Sequence, residues 1–411
     1  MDMFRKEFQG HHAAQFCILG RIDYAHCSGA EFLNDAVVLD GLANHWRESC
    51  VCETGKSMTR WSSKVVEGLC QEKCPGNRSR IPATFHMTTT AVHNRTDRTI
   101  SLEAILAARQ RVYRAAVRTP LVRLYYDDVP GEIYLKLESF QPIGSFKLRG
   151  AYNAISLLSP EERARGVWTV SAGNAAQGVA LAARMLGTRC DVLVMDTAPA
   201  AKLEAIKRLG AGIHQASMDE CWTAVIQRNH PEFQGVFVHP FDDDDFIAGN
   251  ATAGLEILED LPDVTSIVAG FGGGGLSCGI ASAMAALQPE VKVFAAEPET
   301  AAPLHLSFLK GSAQKFPDWK TSFVDGCGGQ SVLPSMWILA SRLLAASIVV
   351  SLEETRRAMK IVAARNHLIC EGAAACAVAA GLSGKAGTGK IVCVVSGGNI
   401  DLTKFAELVS A

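Results

Sequence analysis

The chain has 411 residues, 48% of them hydrophobic and 20% charged, which supplies enough apolar material for a sizeable core and excludes an intrinsically disordered protein. Forty Lys and Arg against 42 Asp and Glu leave a formal charge of −2, so neither a nucleic-acid-binding field nor a solvating acidic tail is expected. The longest apolar runs, such as Leu343 to Val350 and Ala373 to Leu382, fall short of the roughly 18 to 20 residues a spanning helix needs, so no membrane association is expected.

Residues 1–86 mix ten basic and ten acidic side chains without helix or strand periodicity, and they lack the pattern of a secretory or transit peptide. They read as a non-domain leader ahead of a true start at Met87. Six of the 13 cysteines fall there, at spacings that form no pair of C-x2-C ligands, so no zinc module is expected. The other seven sit in apolar contexts such as Ile391-Val392-Cys393-Val394, as reduced thiols do in a cytoplasmic protein.

Order begins at Ser101, a helix cap followed by Ile105, Ala108 and Val112 at helical spacing. Ile133 to Leu137 predicts a strand, and Ser159-Pro160-Glu161-Glu162 predicts a helix start. Alternation then sets in. Strands are expected at Val167 to Val170, Asp191 to Met195, Ser266 to Ala269, Val291 to Ala295 and Ile391 to Val395. Helices are expected over Ala175 to Leu186, Ala200 to Leu209, Ser277 to Leu287 and, after the capping box Ser351-x-x-Glu354, over Leu352 to Arg365. Such alternation means α/β architecture with parallel sheets flanked by helices, in which ligands bind at the carboxyl ends of strands.

The turns after those strands carry the candidate chemistry. Ser171-Ala172-Gly173-Asn174 opens a helix and could hold an anion on its N–H groups, although an ordinary strand-to-helix turn has the same composition. Gly270-Phe271-Gly272-Gly273-Gly274-Gly275 also feeds a helix, and four successive glycines suit a phosphate. Glu297 at the end of the next strand suggests a dinucleotide instead, but no G-x-G-x-x-G register fits. Ser396-Gly397-Gly398-Asn399 puts a hydroxyl at a strand end. In Gly144-Ser145-Phe146-Lys147-Leu148-Arg149-Gly150-Ala151, Lys147 lies between apolar neighbours; on the local sequence alone it reads as an ordinary solvated lysine, but together with a phosphate cradle the better reading is an amine whose pKa is lowered by desolvation and which is therefore nucleophilic.

These motifs, with Leu137-Glu138, Ala198-Pro199-Ala200-Ala201-Lys202, Gly210-Ala211 and His239-Pro240-Phe241-Asp242-Asp243, resemble the pyridoxal-phosphate enzymes of fold type II, and within them the serine/threonine dehydratases. The resemblance spans about residues 101 to 403. It implies a two-domain fold of the tryptophan synthase β type, with a large domain of 87–165 plus 244–411 and a small domain of 166–243. It also implies that Lys147 carries pyridoxal 5′-phosphate and removes the substrate's Cα proton. Gly272, Gly273, Gly274 and Gly275 would bind the cofactor's phosphate, Asn174 would meet its 3′-oxygen, and Ser396 its pyridine nitrogen. Backbone from Ser171, Ala172, Gly173 and Asn174 would grip the substrate carboxylate.

The implied activity is β-elimination from L-threonine, L-serine or a related β-hydroxy amino acid to a 2-oxo acid and ammonia, in a homodimer or homotetramer. Serine racemases of the family carry a second acid/base Ser where this chain has Ala172, which makes racemisation the alternative. Ala175 and Ile143 replace the usual His and hydroxyl residue, so an ammonia-lyase for phenylserine or 3-hydroxyaspartate is a further alternative. The racemases' metal-binding Glu and Asp align with Glu297 and Pro303, so no metal is expected. Asp242 to Asp245 read as a solvated acidic loop.

Overall fold

The computed structural model describes residues 97–129 and 131–410; the expected leader and its cysteines lie outside the described residues. Helix α1 (Leu102–Val112) starts at Ser101, whose hydroxyl accepts the Ala104 N–H. The antiparallel pair β1 (Leu121–Arg123) and β2 (Glu132–Lys136) leads through a single 3-10 turn to α2 (Lys147–Ser156). Helix α3 (Pro160–Arg165) has a complete capping box, with the Ser159 hydroxyl accepting the Glu162 N–H and the Glu162 carboxylate accepting the Ser159 N–H.

Next come β3 (Val167–Val170), α4 (Asn174–Met185), β4 (Cys190–Met195), α5 (Ala200–Arg208), β5 (Gly212–Ala216), α6 (Met218–Gln227) and β6 (Val236–Phe237). The chain then runs through α7 (Asp244–Asp260), β7 (Ser266–Gly270), α8 (Ser277–Leu287), β8 (Lys292–Pro298), α9 (Pro303–Lys310) and α10 (Pro334–Leu343). It ends with β9 (Ala346–Val350), α11 (Leu352–Asn366), α12 (Gly372–Leu382), β10 (Lys390–Val394) and α13 (Leu402–Ser410). The α/β class and its parallel sheets agree with the sequence.

Two sheets form. One has six strands in the order β1-β2-β10-β7-β8-β9, parallel throughout except for β1; the other has four parallel strands in the order β5-β4-β3-β6. Every residue of β3, and all of β7 except Gly270, is buried, as strands covered by helices on both faces must be. In the larger sheet β2, β10 and β7 are adjacent, so the segments that follow their carboxyl ends emerge side by side. Helix α2 packs against both α4 and α7, and α4 follows β3 of the smaller sheet. At Gly178 on α4 a Cβ would come within 3.0 Å of the Lys147 carbonyl, so the two helices approach as closely as backbone allows.

Three differences from the sequence expectations have clear causes. The strand expected at Val291 to Ala295 extends to Pro298, because β9 pairs along its far half. Helix α12 was not expected, since Gly372 to Gly381 are all buried and a helix surrounded by β7, β8, β10 and α11 has no polar face to betray its period. Asp242 to Asp245 are not a solvated loop. Asp243 caps α7 by accepting the Phe246 N–H, Asp244 and Asp245 lie in its first turn, and Asp242 is buried between Arg98, Arg228 and the Ser335 hydroxyl.

Among the described residues no helix is long and apolar enough to cross a membrane. Their seven cysteines, Cys190, Cys221, Cys278, Cys327, Cys370, Cys376 and Cys393, are all buried free thiols.

Candidate active site

Lys147 is the first residue of α2, at the end of the segment that leaves β2. That segment is tied to the segment after β10: Ser145 bridges Gly397, the Phe146 N–H donates to the Ser396 carbonyl at 3.0 Å, and the Gly398 N–H donates to the Gly144 carbonyl at 2.9 Å. Lys147 and Ser396 are therefore neighbours by backbone pairing, although 249 positions separate them in the chain. The Lys147 ammonium donates to the Pro240 carbonyl at 2.5 Å and lies 5.2 Å and 5.4 Å from the Phe146 and Phe246 ring centres. Burial lowers its pKa to about 8, against the attraction of the Glu371 carboxylate, which raises it.

The glycine loop reaches Lys147 through Phe241. A Cβ at Gly273 would fall 2.2 Å from the Phe241 ring and one at Gly275 would fall 2.9 Å from the Phe241 carbonyl, while Gly274 has φ +92°, which L side chains rarely adopt. Gly273, Gly274 and Gly275 are thus required by packing and by backbone shape. Among the described residues, none of the N–H groups of Gly272 to Gly275 donates to a protein acceptor, and they stand where α8 begins. Clustered free donors at a helix N-terminus attract an anion.

Across from them, the Ser171 to Asn174 turn joins β3 to α4, with the Gly173 N–H donating to the Ser171 hydroxyl at 3.1 Å. The N–H groups of Ala172, Asn174, Ala175 and Ala176 likewise have no protein acceptor among the described residues, which makes a second anion-binding turn. Asn174 faces the Ser396 segment. Its side-chain N–H2 donates to both oxygens of Glu371 at 2.9 Å and 3.0 Å, its oxygen accepts from the Asn399 amide at 2.7 Å, and the Glu371 N–H donates to the Gly397 carbonyl. Ala175 and Ile143 are both buried, and the Ile143 carbonyl accepts from Asn399.

Sequence reading singled out neither Glu371 nor any role for the His239 to Asp242 turn. Burial raises the Glu371 pKa to about 7, opposed by the Asn174 hydrogen bonds. His239 Nδ1 accepts the N–H groups of Phe241 and Asp242, and burial lowers the imidazole pKa to about 3, so the ring is neutral and serves to shape the turn that presents the Pro240 carbonyl. The only signal for that turn was the family motif His239-Pro240-Phe241-Asp242-Asp243. Glu371 gave none beyond one acid before a run of small residues.

Glu297 lies elsewhere. Its carboxylate is occupied by the N–H groups of Leu304 and His305 and by the Ser347 hydroxyl, so it anchors the start of α9. Among the described residues no group of three or more His, Cys, Asp or Glu side chains is placed to hold a metal ion.

Residues 112–397 match the family model described as pyridoxal-phosphate dependent enzyme. The chain belongs to that family. It is 38% identical to the L-threonine ammonia-lyase of Thermotoga maritima over 316 residues, covering 76% of this chain and 78% of the relative. Its fold is similar to the processed form of threonine deaminase isoform 2 from Solanum lycopersicum, with TM-score 0.69, 30% identity and coverage of 76% and 95% of the two chains. It is also similar to maize serine racemase, with TM-score 0.71, 32% identity and coverage of 75% and 97%. The residues present fit pyridoxal phosphate: a partly desolvated amine for its aldehyde, a cradle of free N–H donors for its phosphate, and a hydroxyl and an amide on the segments between them.

Proposed function

We propose that the protein deaminates L-threonine, by β-elimination of its hydroxyl group, to a 2-oxo acid and ammonia. The observation that carries this reading is a lysine amine whose pKa is lowered by burial, linked through Pro240-Phe241 and through Asn399 to two turns with free backbone donors, in a chain 38% identical to an L-threonine ammonia-lyase. Lys147 holds the cofactor and moves the Cα proton; Gly272, Gly273, Gly274 and Gly275 hold the phosphate through their N–H groups. Ser396 meets the pyridine nitrogen and Asn174 the 3′-oxygen, while the Ser171, Ala172, Gly173 and Asn174 backbone holds the substrate carboxylate. Bound pyridoxal phosphate supplies an electron sink for the pair left at Cα.

Ala172 has no proton to exchange at the position where the family's serine racemases carry their second acid/base Ser, which favours elimination over racemisation. The division into a large domain of 87–165 plus 244–411 and a small one of 166–243 is supported by the four-stranded sheet, whose strands all fall between Val167 and Phe237. A cytoplasmic homodimer or homotetramer completes the reading, supported by the buried free thiols for the compartment and by the family resemblance for the assembly.

Release of 2-oxo acid by the purified protein from L-threonine, L-serine, D-serine, 3-hydroxyaspartate and 3-phenylserine tests the reading. Turnover is expected to be fastest with L-threonine. Activity confined to 3-phenylserine or 3-hydroxyaspartate would contradict the substrate, and conversion of L-serine to D-serine faster than 2-oxo acid release would contradict the reaction.

A further inference from the structure

Glu371 is the cap residue of α12, yet its side chain makes no capping hydrogen bond. It turns instead to Asn174 at the start of α4, and both carboxylate oxygens accept from that amide. The amide is thereby held at both ends, nitrogen to Glu371 and oxygen to Asn399, which in turn donates to the Ile143 carbonyl four residues before Lys147. Among the described residues no cation is in direct contact with this carboxylate, whose hydrogen bonds come from a neutral amide and backbone, an unusual arrangement in the interior, where charge is normally paired.

We propose that Glu371 is a positioning residue: its ionised carboxylate fixes the Asn174 amide against the cofactor, and protonation of Glu371 releases that amide and slows the reaction. This rests on the site reading given above and adds to it the group that sets the acid limb of the pH profile.

The groups facing Glu371 account for the direction. Burial is the largest influence and favours the neutral acid, and Asp325 adds to it by repulsion. The Asn174 amide, the Lys202 ammonium and the Asn399 backbone oppose it. The Lys147 ammonium is also in range, while the neighbouring thiols Cys327 and Cys370 are buried and held neutral, with pKa values raised above the ordinary range. The resulting pKa is about 7, so lowering the pH from 8 to 6 converts the carboxylate to the acid. A protonated acid accepts less strongly and carries an O–H of its own, so its hold on the amide weakens.

Two variants separate positioning from simple bridging. Glu371→Gln keeps an oxygen that can accept from Asn174 but has no proton to gain; Glu371→Ala removes the contact. In the cofactor-loaded proteins, kcat/KM for L-threonine and the visible absorbance of the cofactor without substrate are measured from pH 5.5 to 9. In the unsubstituted protein both are expected to change with a midpoint near pH 7, in line with the Glu371 titration. In Glu371→Gln both transitions are expected to flatten. Glu371→Ala is expected to lose on the order of 10²-fold in kcat/KM, the scale of a misplaced positioning group, with Glu371→Gln recovering at least about tenfold of it. An acid limb and an absorbance change that persist in Glu371→Gln at the same midpoint would overturn the proposal alone. Absence of any cofactor band in the unsubstituted protein would overturn it together with the site reading.

Discussion

Replacing Lys147 with alanine is expected to abolish cofactor-dependent turnover, lowering kcat/KM by more than about 10³-fold, because one side chain is lost from two tasks. Removing a positioned proton-transfer group alone typically costs 10²- to 10⁴-fold, and here the covalent anchor of the cofactor goes with it. The structure explains why no neighbour takes over. Lys147 is fixed at the first turn of α2 by backbone pairing of residues 145–146 with 396–397, and its amine is drawn to the Pro240 carbonyl. Lys202, the other lysine that acts on Glu371, is engaged with Asp325 on an exposed surface. The pH dependence follows in sign. With its pKa lowered from 10.5 to about 8, the amine loses its proton as pH rises through 8, and the neutral amine is the form that attacks an aldehyde. Loading of the unliganded protein with cofactor should therefore accelerate between pH 7 and 9, and stopped-flow absorbance would record it. A Lys147→Ala protein that keeps more than a tenth of the parent activity would contradict the assignment.

Arg149→Met is expected to destabilise the fold by about 3–5 kcal/mol, the range for breaking a buried ion pair from one side. Two residues along α2 is about 200° of rotation, so Arg149 faces the interior when Lys147 faces the cleft. There its guanidinium binds Glu138 at 2.7 Å and 2.8 Å and Glu256 at 2.7 Å and 2.9 Å, with Thr252 and the Val117 carbonyl taking further N–H groups. Lys136 supplies the second cation, 2.6 Å from Glu256, and Arg149, Lys136, Glu138 and Glu256 are all fully buried. Two cations meet two anions with nearly every polar atom partnered, and a network in that condition is stable only while it is complete. Methionine preserves much of the volume but leaves two carboxylates facing one ammonium. Urea denaturation should show a midpoint lowered by that energy divided by the slope, or no soluble protein at all. A midpoint within experimental scatter of the parent would show that the network relaxes by protonation or hydration.

The parts of this architecture that were legible in the sequence are those whose cause is local. Ser101, Ser159 and Ser351 announce helix starts because a hydroxyl three positions before an N–H is sufficient, and all three accept that hydrogen bond. Turns after the buried strands β3, β7 and β10 announce themselves by glycine and small polar residues, and Lys147 stands out as a charge among apolar neighbours. Glu371, Arg98 and Asp242 could not be found this way. The Asn174 to Glu371 contact spans 197 positions and the Arg98 to Asp242 pair spans 144, and neither leaves a periodicity or a spacing. Helix α12 escaped for a related reason, since complete burial erases the amphipathic signal on which helix recognition depends. The acids at 242–245 misled because a run of like charge is ordinarily solvated, whereas here one is buried by two arginines and another caps a helix.

The central claim is that Lys147 holds pyridoxal phosphate. Borohydride reduction of the cofactor-loaded protein fixes the lysine-bound group irreversibly, and peptide mass mapping then locates it. One modified tryptic peptide is expected, containing Lys147, with the label absent from Lys147→Ala. A label on Lys202 or any other lysine, or none on the native protein, would contradict it.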